Sequence, residues 1–205
     1  MPIVTISRQF GSGGSEVAER VAARLGWSLY DNAVVDEVAR RLGMTSAEVS
    51  ARDERVPSLP ERIASTMALG MPEMMVSDVA VQPSEERIVA MTKRVLEEAV
   101  NAGPAVLVGR GAQCMLAARS DALHVFCYGP AEALASYAVS SLGVAPAEAA
   151  RVVADHNHQR EQYVKRHWKR DWRDVANYHL CVNTAWLGLD GSAELIARLA
   201  AERFG

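Results

Sequence analysis

The chain has 205 residues, and its 22 lysines and arginines stand against 25 aspartates and glutamates, giving a formal net charge of −3. This acidic balance argues against a non-specific nucleic-acid binder. Hydrophobic residues make up 49% of the chain, as in ordinary globular proteins, and the length suits one α/β domain with a small insert. Because we find neither a membrane-spanning apolar stretch nor a signal-sequence pattern, we expect a soluble, cytoplasmic protein with no membrane partner. Three widely spaced cysteines are expected to be reduced: Cys114, Cys127 and Cys181.

The first 25 residues predict a strand, a glycine-rich turn and a helix. The apolar run Ile3-Val4-Thr5-Ile6 is typical of a buried parallel strand, and an amphipathic helix follows the turn and ends near Leu25. Glycines let the backbone curl so that its N–H groups point inward, and the helix dipole adds partial positive charge. We therefore predict a phosphate-binding loop whose cofactor-binding residues are Gly11, Ser12, Gly13, Gly14 and Ser15.

The loop departs twice from the common pattern G-x-x-x-x-G-K-[ST]. Aligned on residues 8–15, the sequence keeps Gly13 and Ser15 but has Arg8 at the first glycine and Gly14 at the lysine. That lysine normally neutralises charge on the β- and γ-phosphates. An ordinary flexible turn is the alternative, but the strand before the loop and the helix after it favour a phosphate site.

The stretch I-S-R-Q-F-G-S-G-G-x-x-V-A resembles the cytidylate kinase-like family, a divergent branch of the P-loop nucleoside monophosphate kinases whose loop lacks the lysine. The resemblance implies a three-layer α/β/α fold around a five-stranded parallel sheet in the order 2-3-1-4-5. It also implies ATP and Mg²⁺ as cofactors, with Ser15 as the metal ligand. We hypothesise that the Arg8 guanidinium supplies the charge of the missing lysine in catalysis.

The remaining elements alternate between strands and helices, as in a parallel sheet covered on both faces. Predicted strands span 27–30, 105–108, 124–128 and 177–184. Predicted helices span 33–42, 84–100, 130 to about 141, 146 to about 168, and 192–204.

Two residues at strand ends are candidates for substrate binding. Asp31 follows the second strand and either caps the next helix or helps to hold the acceptor. Arg110 follows a buried strand and therefore reaches the same sheet edge as the phosphate loop. The family has G-R-G-[AS] here, which implies that Arg110 contacts the acceptor nucleotide. Cytidylate kinases have an aspartate where this chain has Gly111, so pyrimidine recognition is not transferred.

Residues 45–83 show no strand pattern and are predicted to form a helical, acceptor-binding insert. The motif Thr45-Ser46-Ala47-Glu48 has the form of a capping box and indicates a short helix. Four methionines form either the core of this insert, an apolar cleft wall, or a surface for a homodimer: Met67, Met71, Met74 and Met75.

Residues 151–174 are basic, with seven lysines and arginines against four acidic residues. A lid of arginines stabilises transferred charge and excludes water, whereas the alternative is a solvated basic face. The family has D-x-x-R-x-x-Y here, and the match implies a catalytic role for Arg160 and a substrate-binding role for Tyr163. Asn157 replaces the family's acidic residue.

Two other groups of polar residues allow more than one interpretation. His156, His158 and His167 are close in sequence, but residues 156 and 158 do not share a helix face, so we do not expect a zinc site. Asn183 and Thr184 end the last strand, where they either line an adenine or ribose site or cap the final helix.

These patterns together predict a single domain over residues 1–205. We predict an ATP-dependent phosphotransferase for a small acceptor, with a CMP-like nucleoside monophosphate as the first choice. One alternative is a nucleotide-binding sensor without catalysis. The other is a kinase for a non-nucleotide hydroxyl compound, for which Asp31 is the candidate base.

Overall fold

A computed structural model describes residues 1–53 and 84–205. Its strands are β1 (Ile3–Arg8), β2 (Ser28–Tyr30), β3 (Ala105–Val108), β4 (Ala122–Tyr128) and β5 (Leu180–Asn183). Its helices are α1 (Gly14–Leu25), α2 (Asn32–Leu42), α3 (Ser46–Asp53), α4 (Glu85–Ala102), α5 (Ala112–Met115), α6 (Ala131–Leu142), α7 (Ala149–Trp168) and α8 (Thr184–Phe204). A 3₁₀ helix spans Val175–Asn177.

The five strands form one parallel sheet in the order β2-β3-β1-β4-β5, which confirms the predicted fold. β1 lies at the centre, where Ile6 pairs with Val108 of β3 and Arg8 pairs with Cys127 of β4. The strands therefore end at one common edge. The segments that follow β1, β2 and β3 meet there, and this edge positions the candidate site.

Both faces of the sheet are covered by helices, and successive side chains of β1 alternate between them. Ile3 packs in a core with Val38 of α2 and Leu96 of α4. Val4 and Ile6 face the opposite core, which is completed by side chains of α1 and α8. Since both faces are buried, apolar residues of β1 point to both sides of the sheet rather than to one.

The boundaries of two elements differ from the predicted ones. In both cases a short turn or a capping side chain, which the pattern of apolar residues does not reveal, fixes where the element begins. α7 begins at Ala149 rather than at 146, since residues 145–148 form a turn closed by Glu148 N–H and the Ala145 carbonyl. The last strand is shorter than predicted because residues 175–177 form a 3₁₀ turn capped by Asp174.

The final helix begins eight residues earlier than predicted. Asn183 caps α8 by accepting a hydrogen bond from the Trp186 N–H at 3.2 Å. A break at Gly188, with φ 75° and ψ 165°, separates this first turn from the helix predicted over 192–204. The sequence pattern had predicted only the part of α8 that follows this break.

The predicted capping box at the start of α3 is confirmed. Glu48 accepts a hydrogen bond from the Thr45 N–H at 2.8 Å, and Thr45 Oγ1 accepts one from the Glu48 N–H at 3.2 Å. Ser84 caps α4 by accepting from the Arg87 N–H. The remainder of the predicted insert, including its four methionines, lies outside the described residues.

No helix within residues 1–53 and 84–205 combines the length and apolarity that crossing a membrane requires. Cys114, Cys127 and Cys181 are free thiols, and the first two are buried.

A buried histidine gives the fold a pH-dependent stability. His124 is 3% exposed, its Nδ1 is hydrogen-bonded to Thr5 Oγ1 at 2.8 Å, and its ring stacks on His179. Burial lowers the pKa of His124 to about 4, with a smaller contribution from His179. The unfolded chain binds the proton with a pKa near ~6.5, so this contribution to stability is complete above that pH and is lost as pH falls toward 4.

We therefore expect the free energy of unfolding, measured by urea denaturation, to fall by about 3 kcal/mol between pH 7 and pH 4 through this residue. A His124→Asn variant should show a flatter pH dependence, while His158→Asn, on the exposed face of α7, should follow the parent curve. Parallel curves for the parent and His124→Asn would contradict this assignment.

Candidate active site

The glycine-rich loop joins β1 to α1 in a tight curl. Gly11 and Gly13 have φ values of 82° and 66°, in the left-handed region that glycine adopts without strain. A β-carbon at Gly11 would also overlap the backbone oxygen of Leu134. Gly13 occupies the N-cap position of α1 and supplies no capping side chain. The first N–H groups of the helix are thus suited to an anionic ligand, and phosphate binding by residues 11–15 stays a prediction.

Two polar side chains hold this loop from opposite sides. Asn157 of α7 is 4% exposed, and its Oδ1 accepts a hydrogen bond from the Phe10 N–H at 2.7 Å. Thr184, the first residue of α8, donates from Oγ1 to the Ser12 carbonyl at 2.8 Å. The loop conformation is therefore fixed by the protein itself.

We expect Thr184→Val to lower the free energy of unfolding by about 1–2 kcal/mol, because the buried Ser12 carbonyl loses its donor. Thr184→Ser keeps the hydroxyl and should retain most of the stability. Urea denaturation measures both variants, and a loss in Thr184→Ser with none in Thr184→Val would show that the methyl group rather than the hydrogen bond matters.

The two departures from the common loop pattern have one steric cause. Arg8 Cβ lies so close to Gly14 that a β-carbon at position 14 would overlap it, and Cys127 Cβ would lie 3.3 Å away. A lysine at position 14 and an arginine at position 8 therefore exclude each other in this loop. The absence of the loop lysine at position 14 is therefore a steric consequence of the arginine at position 8.

The Arg8 side chain runs from the loop toward β2 and β3. Its guanidinium lies directly against Gly109, the residue after β3, and its Nη2 is 3.6 Å from Asp31 Oδ1, after β2. Its Nε is buried and has no hydrogen-bond partner among the described residues. Asp31 occupies the N-cap position of α2, but its side chain makes no capping hydrogen bond. The side-chain cap, one of the roles predicted for Asp31, is therefore not formed, and acceptor binding by this residue stays a prediction.

Arg110 lies in a strained turn. It has a φ of 54°, between Gly109 at 72° and Gly111 at 69°. The left-handed region costs a non-glycine residue roughly 1–2 kcal/mol, so the turn holds the arginine in an imposed position. Gly111 is in contact with the Trp168 indole, and a β-carbon there would overlap the indole nitrogen. Burial, the largest cause, lowers the pKa of Arg110 to about 10.

α7 brings the residues of the basic segment to this turn and to the loop. Arg160 Nη1 donates to the Arg8 carbonyl at 2.8 Å, and the guanidinium carbon lies 5.9 Å from the centre of the Phe10 ring. Tyr163 lies partly buried one turn further along, and desolvation raises its pKa to about 12. A cavity of about 30 Å³ lies between these groups, lined by Ser7, Arg8, Gly109, Arg110, Gly111, Gln113, Arg160, Tyr163, Val164 and Trp172.

The structure thus brings together Arg8, Arg110, Arg160 and Tyr163, and it places Asp31 against Arg8. The loop residues 11–15 lie beside them at the same sheet edge, with Ser15 in the first turn of α1. The other basic residues of segment 151–174 do not line the cavity. Three of them form ion pairs with acidic residues instead: Arg151, Arg166 and Arg173.

The three histidines of α7 do not converge. His156 stacks on the Phe10 ring, with centroids 4.3 Å apart, and His167 Nε2 is 3.0 Å from Glu85 of α4. Asn183 and Thr184 serve the fold, through the helix cap and the bond to the loop. The sequence interpretation missed the loop-holding role of Asn157. Its spacing of three residues from Arg160 puts the two on one helix face, which was a signal available in the sequence.

A parallel sheet in this order, with a glycine loop leading from the central strand into a helix, defines the P-loop kinase class of folds. Within that class, the model of the cytidylate kinase-like family matches residues 3–185, and the chain belongs to this family. No curated protein sequence gives a significant match.

Solved structures share the fold. An uncharacterized protein from Eubacterium ventriosum superposes with a TM-score of 0.71 at 19% identity, covering 98% of this chain and 99% of that one. Shikimate kinase from Acinetobacter baumannii, solved with shikimate, gives 0.53 at 16% identity, over 100% and 95% of the two chains. Deoxyadenosine kinase from M. mycoides, solved with dCMP and dCDP, gives 0.50 at 10% identity, over 98% and 99%.

Proposed function

We propose that the protein transfers the γ-phosphoryl group of ATP to a nucleoside monophosphate, with CMP as the first acceptor to test. Family membership supports the phosphotransferase class. The observation that carries the acceptor assignment is the convergence of Arg8, Arg110 and Arg160 on one small cavity beside the glycine-rich loop. Guanidinium groups suit phosphate because their donors match its oxygen geometry.

The loop is the donor site in this proposal. The residues fit a nucleotide phosphate, because α1 begins at a glycine N-cap and the loop holds its curl through Asn157 and Thr184. Mg²⁺ in kinase sites is bound by few protein groups together with substrate phosphates and water. Ser15 is the residue that would hold it, and the bound ion would neutralise charge on the transferred group.

Arg110 and Tyr163 form the acceptor side. Arg110 binds the acceptor phosphate, and its strained, partly buried turn keeps the guanidinium in place before the ligand arrives. The Tyr163 hydroxyl is protonated at neutral pH, and burial raises its pKa further, so it is available to donate a hydrogen bond to the acceptor. A phosphate acceptor is already an oxyanion and requires no general base.

Arg160 stabilises the charge that develops on the transferred phosphoryl group. It lies on α7, which is packed against the loop through Asn157, and its guanidinium lines the same cavity as Arg110. A cation held between donor and acceptor stabilises the transition state most when water is excluded, because its attraction to the phosphoryl oxygens is stronger at low dielectric.

The deciding experiment is a coupled ADP-release assay with ATP and Mg²⁺. The panel is CMP, dCMP, UMP, AMP and GMP, with a control lacking acceptor. Turnover with one monophosphate at least about 10² times the control would establish the proposal, since random hydrolysis is much slower than positioned transfer. Silence across the panel, with ATP binding shown by calorimetry, would overturn it.

A second candidate is a kinase for a non-nucleotide hydroxyl compound. The observation in its favour is Asp31, whose carboxylate caps no helix and lies beside the arginine cluster, where it could act as a base. The structural neighbour solved with shikimate has such an acceptor. Turnover with a hydroxy acid, combined with silence for all monophosphates, would favour this candidate. A binder without catalysis, the remaining alternative, would stay silent with both panels.

A further inference from the structure

We propose that Arg8 binds the anionic group of the acceptor, jointly with Arg110, and that Asp31 is the counter-ion it releases when that group arrives. The inference rests on the proposed function and replaces the hypothesis that Arg8 substitutes for the loop lysine on the donor phosphates.

The Arg8 side chain leads away from the glycine-rich loop. Its Cβ passes over Gly14, and its guanidinium ends against Gly109 rather than over the first turn of α1. Gly109 follows β3 and Asp31 follows β2, and these two strands lie on the same side of β1 in the sheet. Arg8 therefore starts in the donor loop but places its charge among the residues of the acceptor side.

The charge around this position carries the second step. Arg8, Arg110 and Arg160 line the cavity, and the carboxylate paired with Arg8 is that of Asp31. The separation of 3.6 Å between Arg8 Nη2 and Asp31 Oδ1 is too long for a good hydrogen bond. Buried Arg8 Nε has no partner among the described residues. A compact anion entering the cavity would supply that acceptor and compete with Asp31.

The side-chain exposure fits an exchangeable pair. Arg8 is 16% exposed and Asp31 is 21% exposed, so the carboxylate can rotate into solvent when an anion replaces it. The cavity of about 30 Å³ admits a small anionic head but not a nucleoside, so the rest of the acceptor must extend outside it. The ligand class is therefore a compact phosphate or carboxylate attached to a larger group.

The test is calorimetry on Arg8→Ala, with Arg24→Ala as an arginine control on the outer surface of α1. We expect the Kd for CMP to rise by at least about 30-fold in Arg8→Ala, because one charge-assisted contact is lost, and the Kd for ATP to stay within about 3-fold. Circular dichroism and thermal melting check that both variants fold. A raised Kd for ATP with an unchanged Kd for CMP would overturn the inference and restore the lysine-substitute role.

A second measurement separates this inference from the proposed function. Inorganic phosphate is titrated into the protein saturated with a non-hydrolysable ATP analogue, so that the donor loop is occupied. We expect phosphate to bind the parent, to bind Asp31→Asn at least about 3-fold more tightly, and to bind Arg8→Ala at least about 30-fold more weakly. This result would stand even if no nucleoside monophosphate were phosphorylated. Equal phosphate affinity in the parent and Arg8→Ala would reject the site.

Discussion

Replacing Arg160 by alanine is expected to lower kcat by about 10³-fold, because a cation at the transferred phosphoryl group contributes on that scale. The guanidinium lines the cavity beside Arg110 and also donates to the Arg8 carbonyl. We expect the KM for ATP to change by less than about 5-fold, since the loop is also held by Asn157 and Thr184. Steady-state kinetics with each substrate varied in turn measures the separation.

Two controls sharpen this experiment. Arg151 lies on the same helix, 64% exposed and paired with Glu148 and Asp155, so Arg151→Ala should retain parental kcat. Arg160→Lys keeps the charge but not the planar fork and should recover only part of the activity. Near-parental kcat in Arg160→Ala would show that this residue does not act on the transferred group.

The second large effect concerns the steric exclusion between positions 8 and 14. We expect Gly14→Ala to lower the free energy of unfolding by about 2–3 kcal/mol, because its β-carbon overlaps Arg8 Cβ. In an Arg8→Gly background the same change should cost much less, because the overlap with Arg8 is gone, the contact with Cys127 Cβ at 3.3 Å is milder, and alanine is the better helix former. Urea denaturation of the parent, the two single variants and the double variant completes a double-mutant cycle. We expect a coupling energy of at least about 1.5 kcal/mol between positions 8 and 14.

An alanine at position 8 provides the matched control for this cycle. Arg8→Ala keeps the β-carbon, so Gly14→Ala should remain costly in that background. The same argument predicts that Gly14→Lys alone destabilises the protein, whereas Arg8→Gly combined with Gly14→Lys restores a foldable loop of the common pattern. Equal costs of Gly14→Ala in all three backgrounds would place the strain elsewhere.

The fold could be predicted from the sequence because its signals are local. β-branched runs such as 3–6 and 105–108 indicate buried parallel strands. The glycines after the first strand indicate a tight loop, because glycine adopts the left-handed backbone conformation without strain. The capping box at Thr45 and the capping residue Ser84 located the starts of α3 and α4 in the same way. These features depend on a few neighbouring residues, so the sequence located the strands, the loop and the helices, whereas the order of the strands was implied by the resemblance to the cytidylate kinase-like family.

The arrangement of the candidate site was only partly accessible from the sequence. Arg110 and Arg160 were identified from motifs, and the structure places both on one cavity. The direction of the Arg8 side chain was not predictable, because its guanidinium ends against Gly109, which is distant along the chain and follows another strand. Local patterns carry no information about such contacts.

The sequence by itself determined that this chain has a P-loop kinase fold without the loop lysine. The tertiary structure decided which groups surround the loop: Asn157 binds Phe10, Thr184 binds Ser12, and Asp31 pairs with Arg8. The physical reason is that strand and turn formation depends on the backbone preferences of adjacent residues, whereas the charge around a site depends on which distant side chains the packing brings within a few ångströms.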